Sequence, residues 1–224
     1  MTQKAETILN YRFENDELFR QAFTHSSHVH EKKLDSLQSN ERLEFLGDAV
    51  LQIVVSDYLY SNFTQMHEGD LTKLRASVVC ESSLATAAKN MDIGSLLILG
   101  RGEKRTGGDY RDSILADTFE AVIGAVYLDG GYEPAEKIIL DALVDSIHHL
   151  SKDVAPRDYK TRLQEQMQKT SSLPLKYTTV EEKGPAHKKI FKVHLEHNGK
   201  MLGTGIGKSK KEAEQQAAKA ALDS

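Results

Sequence analysis

The sequence predicts a mainly α protein in two parts. A larger all-helical domain spans residues 1–150, and a small α-β-β-β-α domain spans residues 158–224, with a flexible linker at 151–157. Three observations predict this. Up to residue 150 the apolar residues recur at helical spacing, whereas the tail contains runs that alternate with period two. The stretch SKDVAPR, polar and bearing a proline, separates the two regimes. Charge changes at the same place: residues 1–156 carry 15 Lys and Arg against 25 Asp and Glu, a net of −10, and residues 157–224 carry 14 against 8, a net of +6. A basic module after an acidic one suits a chain in which one part grips a polyanion and the other supplies metal-binding carboxylates. Chance segregation of surface charge gives the same split, so charge alone decides nothing.

Composition bounds the class. A content of 39% hydrophobic and 28% charged residues is that of a globular protein, with no apolar run long enough to span a membrane and no signal-peptide core at the N-terminus. The single cysteine, Cys80, excludes an internal disulfide and fits a reducing, cytoplasmic setting; its neighbourhood SVVCESS reads as that of a small core residue.

Taken in order, residues 14–23 read as an amphipathic helix with Leu18, Phe19, Ala22 and Phe23 on its apolar side and Asn15 or Asp16 as cap. Residues 24–28 read as a polar turn. His25, His28 and His30 are spaced to tempt a metal reading, but the segment reads as exposed and has no other soft ligand beside it. Residues 34–39 connect to a helix that opens with NERLEFLGDAVLQ at 40–52 and runs on to about residue 62. In it Leu43, Leu46 and Val50 form one apolar stripe, and Phe45, Ala49 and Ile53 extend the apolar surface until little is left for water. A turn at 68–71 feeds a helix over 71–80, and 82–90 is another. Residues 100–108, GRGEKRTGG, read as a mobile, mostly basic loop in which Arg101 and Lys104 either face solvent or meet a phosphate backbone; the Gly-Lys-Ser/Thr ending of a Walker loop is absent. Residues 112–128 form a second apolar helix, and 133–150 a further amphipathic one with Pro134 in its first turn. In the tail, 159–169 is helical and 175–182, 189–197 and 200–207 are strands. Asn198-Gly199 is a hairpin signal. Ser209 with Glu212 is a capping box that opens a last helix, whose Ala213, Ala217, Ala220 and Ala221 can lie flat on a sheet.

The chemistry-bearing residues are acids on the two apolar helices. Glu41, Glu44 and Asp48 fall at i, i+3, i+7 on one, and Asp117 and Glu120 at i, i+3 on the other. Carboxylates on a mostly buried helix are costly to keep ionised without a partner. Gly47 and Gly124 sit mid-helix, where glycine allows another backbone to approach. If the two helices pack together, Glu44, Asp48, Asp117 and Glu120 converge. Oxygen-only ligation selects a hard cation, magnesium or else manganese. A di-iron site needs Glu-x-x-His, which the chain lacks, and zinc lacks its His and Cys ligands. A solvated helix face is the bland alternative. A magnesium carboxylate cluster suits phosphoryl transfer from a nucleic-acid backbone to water.

These stretches carry a resemblance. Residues 40–52 are similar to the signature of the ribonuclease III family, residues 112–128 resemble that family's second catalytic helix, and residues 175–222, with GPAHKK at 184–189 and KSKKEAE at 208–214, resemble a double-stranded RNA-binding domain. With residues 14–26, the likeness covers nearly the whole chain. It implies a magnesium-dependent endoribonuclease specific for double-stranded RNA, which acts as a homodimer with no membrane and no small-molecule cofactor. Each subunit cuts one strand and leaves 5′-phosphate and 3′-hydroxyl ends with short 3′ overhangs, in the processing of ribosomal and other structured RNA precursors. Glu44, Asp48, Asp117 and Glu120 match the metal-binding acids, with Asp48 and Glu120 indispensable. Glu41 and Glu68 match further acids near the RNA valley. Gln164, Glu165 and His187 match minor-groove contacts, and Lys208, Lys210 and Lys211 match contacts to phosphate. Two alternatives stay open: a protein that sequesters duplex RNA without cutting it, which would need a lost catalytic acid, and a helical carboxylate metalloenzyme of another class.

Overall fold

Two long helices form the centre of the first unit: α4 (Glu41–Asn62) and α8 (Asp112–Gly130). Their sequences say why. From Ile114 to Val126 every residue of α8 is buried except Asp117 and Glu120, so this helix has no solvent side. Where α4 and α8 cross, a Cβ on Gly47 would overlap the Glu120 carbonyl and one on Gly124 would overlap the Leu43 carbonyl, so the two glycines let the backbones touch. Leu51, Leu59, Phe119 and Ile123 of the same two helices are fully buried in the core.

The computed structural model describes residues 2–154, 159–169, 173–185 and 189–223. The chain divides into two units, Met1–Ala155 and Pro156–Ser224, each with its own apolar core. Around the central pair the first unit places α1 (Thr2–Leu9), α2 (Asp16–Ala22), α3 (Ser26–Lys32), α5 (Glu68–Val78), α6 (Glu81–Asn90), α7 (Arg101–Arg105) and α9 (Tyr132–Val154). Asn15 caps α2 by accepting from the amides of Glu17 and Leu18, as its residue type predicts.

Several elements differ from the expectation. The polar turn at 24–28 runs straight into α3; with only Val29 buried, its sequence offers almost no apolar period to read. The loop at 100–108 contains α7, because its charges are paired within the unit: Glu103 with Arg111 at 2.8 Å, and the Arg101 amide and side chain with Glu31. A single parallel bridge, Thr24 to Ile98, ties the entrances of α3 and α7. α5 begins at Glu68, with Glu68 and Asp70 in its first turn where the helix dipole favours them. The helix α9 continues through residues 151–154 of the expected linker, since SKDV contains no breaker. Residues 155–158 of that linker lie outside the described residues. Cys80 is half-exposed at the start of α6 rather than in the core, its thiol bonded to the Ser77 carbonyl. On α4, Phe45 (81% exposed), Ala49 and Ile53 (59%) face solvent, the reverse of the burial their apolar character implies.

The second unit is an antiparallel sheet in the order β1-β2-β3 (Lys176–Lys183, Ile190–His197, Lys200–Gly207), with α10 (Tyr159–Gln168) and α11 (Lys210–Leu222). Val193 and Leu195 of β2 are fully buried with Leu163, Ala213, Ala217 and Ala218. Asn198 and Gly199 both take positive φ, as a tight hairpin requires.

Candidate metal centre and nucleic-acid face

The close crossing of α4 and α8 brings three acids together. Glu44, Asp117 and Glu120, all half-buried, each offer an oxygen within 4.8 Å of the others. Among the described residues no Lys or Arg forms an ion pair with any of them or with Asp48. The electrostatic consequence is plain. Burial, followed by the charges of Asp48, Glu44 and Asp117, pushes the Glu120 carboxyl up to about 8. Burial and then Asp117, Glu41 and Asp48 raise Glu44, and burial and then Glu81 raise Asp117. A crowded, desolvated, all-oxygen set that cannot hold its full negative charge alone fits a hard divalent cation.

Asp48 is one turn further along α4 and does not join that close trio. Its two oxygens accept from the Gln52 side-chain amide at 2.9 and 3.2 Å, a neighbour to which the sequence reading attached no role. Glu41 is exposed at the helix start and accepts from the Ser39 hydroxyl at 3.3 Å. Glu68 lies on α5, bonded to Thr72, outside the cluster. Of the three histidines set aside as ligands, His25 caps α3 through Nδ1 and lies within electrostatic reach of Asp117 and Glu41; burial outweighs their pull and lowers its pKa. It is not part of the oxygen cluster.

The tail presents its predicted polar face in part. Gln164 and Glu165 are exposed on α10. Lys208, Lys210 and Lys211 are exposed at the start of α11, where Ser209 accepts from the Glu212 amide and Glu212 accepts from the Lys208 amide. Lys210 pairs with Glu182 at 2.9 Å, and Glu182 also holds Lys189 at 2.9 Å, so phosphate must compete with this carboxylate for both lysines. His187 lies outside the described residues. In the first unit Arg101 is drawn to Glu31, while Lys104 is exposed.

The family model described as Ribonuclease-III-like matches residues 15–147, and that described as Double-stranded RNA binding motif matches residues 159–224. The chain is 50% identical over 219 residues to Ribonuclease 3 of Desulforamulus reducens, covering 98% of this chain and 89% of that protein. It is 50% identical over 217 residues to Ribonuclease 3 of Caldanaerobacter subterraneus subsp. tengcongensis, covering 97% and 95%. Among solved structures, the nuclease domain of ribonuclease III from Campylobacter jejuni, described as having a region involved in dimer formation, superposes with a TM-score of 0.60 at 41% identity, over 65% of this chain and 97% of that one. The chain therefore belongs to the ribonuclease III family, whose members are endoribonucleases acting on double-stranded RNA.

Proposed function

We propose that this protein hydrolyses phosphodiester bonds in double-stranded RNA with magnesium held by Glu44, Asp117 and Glu120 and joined by Asp48. The observation that carries the reading is the trio of half-buried acids with no cation paired to it. A bound divalent ion supplies an activated water and stabilises the leaving oxygen. The chain's residues supply the rest. Glu120, whose carboxyl is pushed up to about 8 by burial and the neighbouring acids, would hold the ion as its carboxylate. The α4–α8 crossing fixes the spacing of the acids. The tail grips the duplex through the exposed face of α10 and the lysines at the start of α11, which suits shape-based recognition of A-form RNA. The expected products carry 5′-phosphate and 3′-hydroxyl ends with short 3′ overhangs, and the expected setting is cytoplasmic processing of structured RNA precursors, ribosomal among them.

The solvent-facing row Phe45, Ala49 and Ile53, at i, i+4, i+8 of α4, supports a homodimer, because an apolar stripe on a central helix calls for a partner surface. The dimer-forming region described for the Campylobacter nuclease domain agrees with it.

The test is a long perfect RNA duplex incubated with the protein in magnesium or in calcium, with single-stranded RNA and duplex DNA alongside. Cutting of duplex RNA in magnesium alone is expected, and Glu120→Gln is expected to abolish it while leaving duplex binding in calcium intact. Tight binding without cutting in either ion would favour the sequestering alternative. Loss of binding in Glu120→Gln would remove the metal role assigned to that residue.

A further inference from the structure

We infer that Gln52 is a positioning residue for the metal centre and acts through Asp48. Glu44, Asp48 and Gln52 follow one another at four-residue steps, so they share a face of α4. The Gln52 Nε2 lies 2.9 Å from Asp48 Oδ1 and 3.2 Å from Oδ2, and both side chains are half-buried. Straddling both oxygens fixes the plane of the carboxylate, which a bond to one oxygen would leave free to turn. The backbone beneath Gln52 is tied in a short relay: its main-chain carbonyl accepts from the Ser56 hydroxyl at 2.6 Å, and Ser56 accepts from Arg75 of α5 at 2.8 Å.

The chemistry of the side chain matters as much as its place. An amide donor orients a carboxylate without adding positive charge. A lysine or arginine at 52 would pair with Asp48 and repel the incoming cation. An apolar residue would leave a carboxylate beside Glu44 and Glu120 free to rotate away from them. The amide thus fixes the orientation of Asp48 at the rim of the Glu44–Asp117–Glu120 trio. Partners that orient metal-binding carboxylates typically change metal affinity by about 10–100-fold when removed. This inference rests on the metal reading above, and the experiment separates the two.

Mn2+ is titrated into the metal-free full chain and free Mn2+ is read by its spin-resonance signal, so that no turnover is needed. Gln52→Met keeps the length and helix preference of the side chain and removes the donor; Gln52→Asn keeps an amide that stops one methylene short. Both are expected to weaken Mn2+ binding about tenfold, with thermal midpoints within about 2 °C of the wild type. In the Asp48→Asn background the same changes are expected to add less than about twofold, because the group that Gln52 acts through is already altered. Unchanged Mn2+ affinity in Gln52→Met would overturn the assignment. So would a loss of equal size in the Asp48→Asn background, or a loss that tracks a fall in thermal midpoint in both variants, which would make Gln52 structural. A wild type that takes up no Mn2+ would overturn the metal reading itself.

Discussion

Glu120 is a residue whose place in the fold works against the fold. Its carboxyl is pushed up to about 8 by burial and by three neighbouring acids, whereas the same group in an unfolded chain titrates near the ordinary carboxylate value. Between those two values the metal-free folded state binds more protons than the unfolded one, so this group's contribution to stability falls as pH rises from about 4.5 to about 8. Glu44 and Asp117 are shifted in the same direction. Glu120→Gln is therefore expected to raise the thermal midpoint of the metal-free protein at pH 8, by about 2–4 °C for each kcal/mol of relieved repulsion. The gain should shrink towards pH 5, where the wild-type carboxyl is protonated anyway. Calorimetric scans at pH 5 and pH 8 in a chelator check this; a gain that grows as pH falls would contradict the electrostatic account. Added divalent ion should reverse the order at pH 8, since only the wild type keeps the full set of carboxylates. The sequence revealed which acids to watch, because carboxylates at i, i+3 on an apolar helix have few bland explanations. It did not reveal that Asp48 stands off from the other three on the Gln52 amide, a matter of side-chain reach within one turn.

At the scale of elements, the site depends on how closely α4 and α8 approach. The crossing glycines set that distance, and both were legible as exceptions to helix preference in otherwise apolar helices. Gly47→Ala is expected to force the helices apart: the new methyl group overlaps the Glu120 carbonyl, which is backbone and cannot turn aside. Overpacking of this kind costs about 1–3 kcal/mol, and the shift moves Glu120 relative to Glu44. The expected result is a lowered thermal midpoint together with weakened Mn2+ binding. A lowered midpoint with unchanged metal affinity would show that the trio does not depend on the crossing. Three helices escaped the sequence reading: α1, which buries Ala5 and Leu9, and α3 and α7, which are short and polar and are held by the Ser27 hydroxyl to the Gly100 amide, Glu31 to the Arg101 amide, and Glu103 to Arg111. No local period announces α3 and α7, because the bonds that join them link residues 70 and 73 apart in the chain.

For the whole molecule, the exposed row on α4 is the feature that a single chain leaves unexplained. Phe45→Asp places a charge in the middle of that row and does not touch the core, since Phe45 is 81% exposed. Sedimentation at micromolar concentration is expected to change from dimer for the wild type to monomer for the variant, with little change in helix content. A variant that stays dimeric would move the self-association surface elsewhere. The separate cores of the two units suit a division of labour in which the acidic helical part cuts and the basic tail holds the duplex.

The sequence by itself determined the class of each half, the family, the acids proposed to carry the chemistry and the two glycines at which the helices cross. These are written in local pattern: helical and strand periods, a capping box, an Asn-Gly turn, and charged residues where an apolar helix should have none. Only the tertiary structure decided which carboxylates come within reach of one cation, which lysines are already paired, and which apolar residues face water. Those outcomes depend on distances between segments far apart in the chain. The same Phe45 that reads as core in a helix taken alone becomes an outward surface once α8 has occupied the inner face of α4.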